Sequence, residues 1–96
     1  MESGPIIIIE DDEDDRDIIE EVLKELKIPN PTVFFTGCIE AYEYLQTHNN
    51  QPFIIFCDIN LPDLSGIEFK RQIDAHKELR QKSIPFVFFS TSADKK

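Results

Sequence analysis

Glu10, Asp11 and Asp58 each stand at the end of an apolar run. Glu10 and Asp11 follow at once on Ile6–Ile9, and Asp58 follows on Phe53, Ile54, Ile55, Phe56 and Cys57. A charge at the C-terminal end of a buried strand lies where open α/β sheets place their chemistry. If the two strands are neighbours, three carboxylates converge and, left alone, repel one another. A hard divalent cation resolves that repulsion, and a few carboxylates completed by water suit Mg2+ better than a caged Ca2+. A further run, Phe86–Phe89, ends in the hydroxyls of Ser90 and Thr91, which can donate hydrogen bonds beside Asp58. A carboxylate nucleophile, a metal that neutralises phosphate oxygens and a hydroxyl that holds one of them make the set a phosphoryl acceptor needs.

The elements that must position these groups can be read from the same pattern. The isoleucine run and residues 53–57 are unbroken apolar stretches with no period-two alternation, as in parallel strands covered on both faces. Ile18, Ile19, Val22, Leu23 and Leu26 fall at helical spacing from Arg16 onward, with Asp14 or Asp15 as the cap and Lys24 and Lys27 in the last turns. Residues 32–36 form a shorter strand, flanked by threonines and expected at an edge. Ile39, Ala41, Tyr42 and Leu45 mark a second helix, and Ile67, Phe69, Ile73 and Leu79 a third. Pro62, Ser65 and Gly66 break the chain between Asp58 and that third helix. The order β-α-β-α-β-α-β predicts an α/β domain with a parallel sheet.

The totals exclude several classes of function. Ninety-six residues make one domain. Ten basic against 19 acidic residues give a net charge of −9, which disfavours nucleic acid and anionic membrane as partners. No apolar run approaches the ~20 residues of a membrane span, and no signal peptide is visible, so a cytoplasmic protein is expected. Cys38 and Cys57 lack CxxC spacing and a histidine partner, and are expected as two reduced, buried small hydrophobes. His48 and His76 have no spacing partner either and are expected at the surface.

At these positions the sequence resembles the receiver domain of two-component response regulators. The stretches that carry the resemblance are IIIIEDDEDD, FIIFCDINLPDLSGIEF and IPFVFFSTSAD, which together span nearly the whole chain. The resemblance implies a flavodoxin-like (CheY-like) doubly wound parallel sheet with strand order 2-1-3-4 in the part present. It implies that Asp58 is phosphorylated by a sensor histidine kinase or a phosphotransfer protein. Mg2+ would be held by Asp11 directly, by Glu10 largely through water, by Asp58 and by the backbone carbonyl of Asn60. Ser90 matches the hydroxyl that turns toward the phosphoryl group. The family pattern continues with a fourth helix, a fifth strand ending in lysine and a fifth helix, none of which matches residues 1–96. Lys95 and Lys96 follow Ser90 too closely to be that lysine. The expectation is thus a receiver truncated after the fourth strand, with Phe86–Phe89 at an open edge through which copies self-associate.

Other readings fail at particular residues. An EF-hand loop counted from Glu10 has Asp15 where the turn requires glycine, and no helix precedes it. A haloacid-dehalogenase-like phosphohydrolase would carry a second aspartate two residues after the nucleophile, and Asn60 stands there. A receiver-like module that binds partners without phosphorylation is the remaining alternative: the acidic pocket argues against it, and the missing lysine argues for it. The function expected is a stoichiometric phospho-acceptor switch, not a turnover enzyme.

Overall fold

Four isoleucines in succession make the best-shielded strand of the sheet. In the computed structural model, which describes residues 4–48, 51–83 and 85–90, Ile6–Ile9 forms β1 and is at most 2% exposed. There follow α1 (Glu13–Glu25), β2 (Thr32–Phe35), α2 (Cys38–Thr47), β3 (Ile54–Asp58), α3 (Gly66–Asp74), α4 (Lys77–Lys82) and β4 (Phe86–Phe89). The sheet is parallel throughout, in the order β2-β1-β3-β4. β1 is therefore flanked on both sides, and β2 is an edge strand as expected. Ile9 pairs with Cys57, and Asp58 with Phe89.

The two faces of the sheet are covered unequally. Ile7, Ile9, Ile55 and Cys57 pack against Cys38, Ala41 and Leu45 of α2, Phe69 and Ile73 of α3, and Leu79 of α4. On the opposite face, Phe56, Val87 and Phe89 meet Ile18, Ile19, Val22, Leu23 and Leu26 of α1 around an apolar groove of about 400 Å³. No residue of α1 is fully buried, and Ile18 and Leu26 are 59% and 64% exposed.

Several boundaries differ from the sequence expectation. α1 starts at Glu13, not near Arg16, because Asp12 is the cap: its side chain accepts from the Asp14 amide at 2.9 Å. Asp14 and Asp15 fall in the first turn, where their charge suits the helix dipole. Lys27 does not extend the last turn. It lies just past it at φ 58°, with its amide bonded to Lys24 O and the Ile28 amide to Leu23 O, a Schellman termination. β2 ends at Phe35, one residue short of the expected 32–36. β3 is shifted one residue onward from residues 53–57 and takes in Asp58. The expected third helix is two: α3 ends at Asp74, Ala75 and His76 turn the chain, and α4 carries Leu79. The Lys82 ammonium then donates to Leu45 O and His48 O, each at 2.6 Å, and ties α4 to the C-terminal end of α2. His48 and His76 are exposed, as expected.

Candidate functional site

The register of the central strands brings the acidic residues together. Since Ile9 pairs with Cys57, the next residue of each strand, Glu10 and Asp58, leaves the ladder at the same level. Carboxylate oxygens of Glu10, Asp11 and Asp58 lie within 4.8 Å of one another. Glu10 and Asp58 are fully buried, and Asp11 is exposed. Two buried carboxylates at that separation repel by about 3 kcal/mol even at an effective dielectric near 20.

Backbone groups orient the cluster. The Glu10 amide donates to Phe35 O at 2.9 Å, and a Glu10 carboxylate oxygen, Oε2, accepts from the Asp12 amide at 2.8 Å. Asp58 Oδ1 accepts from the Asn60 amide at 3.0 Å, an Asx-type turn that starts the loop after β3. Asp58 Oδ2 is buried and has no hydrogen-bond partner. A buried carboxylate oxygen without a donor is costly unless a cation or an incoming electrophile engages it. The donor set, all hard oxygen with one exposed member, fits a small divalent cation that keeps water ligands.

The loop is anchored at its far end too. The Gly66 amide donates to Ile59 O at 2.8 Å, and Ser65 Oγ caps α3 by accepting from the Glu68 amide at 3.1 Å. Asn60 itself is exposed. Ser90 is also exposed and is the first residue after β4, one step past Phe89, the partner of Asp58. Thr91, Ser92, Lys95 and Lys96 lie outside the described residues.

A match to the response regulator receiver domain covers residues 6–96. The chain belongs to that family. It is a receiver domain, a signalling phospho-acceptor class of module and not an enzyme. Its sequence is 31% identical to response regulator Rcp1 of Synechocystis sp., over 95% of this chain and 66% of Rcp1. The receiver thus spans about two thirds of the length of that relative. Among solved structures it resembles the phosphorylated cyanobacterial phytochrome response regulator RcpA, with a TM-score of 0.81 and 29% identity over 98% of this chain and 69% of RcpA. It resembles the Mn2+-bound form of Rcp1 as well, with a TM-score of 0.80 and 28% identity over 96% and 68%.

Sequence reasoning about this receiver missed the partner of its loop. Asp63 accepts from the Cys38 and Ile39 amides, each at 3.1 Å, and no local pattern marks it. Cys38 and Cys57 are free and buried, as expected. The side-chain hydrogen bond with Cys38 and then burial push the Cys57 thiol far up. It stays protonated at neutral pH and is a poor nucleophile.

Proposed function

We propose that this receiver is a phosphoryl-acceptor switch in which Asp58 takes the phosphoryl group from a phosphohistidine of a sensor histidine kinase or a phosphotransfer protein. The observation that carries this reading is Asp58 Oδ2, buried and without a donor among three converging carboxylates. In the transfer, Oδ2 forms a bond to phosphorus as the bond from phosphorus to the donor nitrogen breaks, and the electron pair stays on that imidazole nitrogen. Asn60, through its amide on Oδ1, holds the carboxylate with the other oxygen forward. Ser90 donates its hydroxyl to a phosphoryl oxygen from the end of β4.

Glu10, Asp11, Asp58 and the carbonyl of Asn60 would hold Mg2+, which when bound neutralises charge on the phosphoryl oxygens. Asp58 has no exposed surface, so a donor reaches it only when its lining opens. RcpA, a relative solved in its phosphorylated form, and Rcp1, solved with Mn2+, support the reading. No helix among the described residues is long and apolar enough to cross a membrane, in keeping with a cytoplasmic place for the switch.

The test is the intact mass of the protein after incubation with Mg2+ and a small-molecule phosphodonor. One phosphoryl adduct is expected, absent in Asp58→Asn and absent with a chelator. Folded, Mg2+-supplied protein that acquires no adduct would overturn the assignment.

A further inference from the structure

We propose that Asp63 is a positioning residue for the acceptor loop, holding residues 59–65 against the start of α2 and thereby setting where Asn60 presents its carbonyl. The inference rests on the phosphoryl-acceptor reading above and goes beyond it, since Asp63 touches neither phosphate nor metal.

Three observations carry it. The first is that α2 has no cap of its own: Gly37 occupies the cap position and has no side chain to offer. Asp63, 25 residues away, takes that role with both carboxylate oxygens, Oδ1 on the Cys38 amide and Oδ2 on the Ile39 amide. A carboxylate on two amides at a helix N-terminus gains from charge-assisted bonds and from the dipole together. The second is a further bond at the same place, from Cys38 Sγ to Leu64 O at 3.5 Å, so two successive loop residues dock on α2. The third is Gly37 itself. A Cβ there would stand 2.7 Å from Asp63 Oδ2 and 3.0 Å from Cγ. The backbone of Gly37 is extended, at φ −157°, and any residue could adopt it. Glycine there leaves room for the Asp63 carboxylate to reach the two amides, and a Cβ would push that carboxylate aside.

The loop is therefore pinned at four places: at Ile59 to Phe89 O of β4, at Asn60 to Asp58, at Asp63 and Leu64 to α2, and at Gly66 to Ile59. The Ile59 bond holds the loop's first residue to β4, and the contacts of Asp63 and Leu64 tie its middle to α2. Without the contacts to α2, the three residues between Asn60 and Leu64 lose their fixed reference. Groups that orient a ligand from one step behind it commonly change metal affinity without touching the metal.

The experiment is calorimetric Mg2+ titration of the full chain, with phosphorylation rates from a small-molecule phosphodonor, on wild type, Asp58→Asn, Asp63→Ala, Asp63→Asn, Gly37→Ala and the Gly37→Ala/Asp63→Ala pair. Asp63→Ala is expected to weaken Mg2+ binding about three- to tenfold and to leave the rate at saturating Mg2+ within about twofold of wild type. Asp63→Asn, which keeps one carbonyl oxygen, falls between. Gly37→Ala reproduces the loss in the wild-type background and adds nothing in the Asp63→Ala background, because the two changes remove one contact. Unchanged affinity in folded Asp63→Ala overturns the proposal, as does a Gly37→Ala effect that persists undiminished beside it. A lower saturated rate with intact affinity also overturns it. If Asp63→Ala does not fold, Gly37→Ala and Asp63→Asn decide the matter by the same criteria. Asp58→Asn separates the two levels: a phosphoryl adduct that persists in Asp58→Asn sinks the acceptor reading itself, whatever Asp63 does.

Discussion

Lys27 bears the one positive φ found at a non-glycine residue among those described. In that left-handed region Cβ crowds the following carbonyl, at a cost of roughly 1–2 kcal/mol. Glycine escapes the crowding but loses more freedom on folding, so Lys27→Gly should stabilise by about 0.5–1 kcal/mol net. Thermal unfolding followed by circular dichroism checks this: a midpoint raised by about 3–6 °C is expected, and a lowered one would show that the lysine side chain compensates. Residue identity made the carboxylate cluster legible in the sequence, because a carboxylate ending a buried apolar run has few structural uses. The same reasoning misplaced the cap of α1. In a run of six acidic residues, type alone cannot separate Asp12 from Asp14 and Asp15. What distinguishes Asp12 is its extended backbone, which the acceptance of its amide by Glu10 helps to hold.

The junction of β3 and α3 sets what the site can tolerate. Gly66 opens α3, and a Cβ on it would meet Asp58 O at 2.6 Å and Cys57 Sγ at 3.1 Å. Alanine is the better helix former by about 1 kcal/mol, yet the obstructing atom is backbone at the end of a buried strand and cannot swing aside. Gly66→Ala should therefore destabilise by about 2 kcal/mol, read as a lower urea midpoint with unchanged slope. A neutral result would mean that α3 shifts freely past the strand end. The strands were legible because continuous apolar runs leave little choice of period. The break between α3 and α4 was legible and missed. Ile73 and Leu79 are six residues apart, which one continuous helix would set about 120° from each other. Both are buried on one face because the turn at Ala75 and His76 restores the phase. Asp63 was not legible at all, since its partners are brought to it only by the packing of α2 beside the loop.

At the scale of the molecule, the two faces of the sheet are unequal. Among the described residues, three helices cover one, while α1 alone stands over the other and leaves Ile18, Val22, Leu26 and Val87 exposed. The resemblance placed β4 at an edge, and among the described residues it pairs with β3 alone. The exposed side of α1 was not foreseen, because its apolar spacing is that of a helix packed on both flanks. An apolar patch of this kind favours association between copies. We propose that the chain self-associates there, and that Val87→Lys with Val22→Glu abolishes it. Sedimentation velocity should show wild-type mass rising with concentration and the double variant remaining monomeric. A wild-type mass independent of concentration would sink the idea.

The apolar groove under α1 also fixes how such an assembly answers to temperature. Its lining is wholly apolar, so closing it removes hydrocarbon from water and carries a negative heat-capacity change. Contacts of that kind loosen in the cold. Preparations kept near 4 °C should thus hold more monomer than the same preparations at 25 °C, and chilling becomes a reversible way to separate the copies.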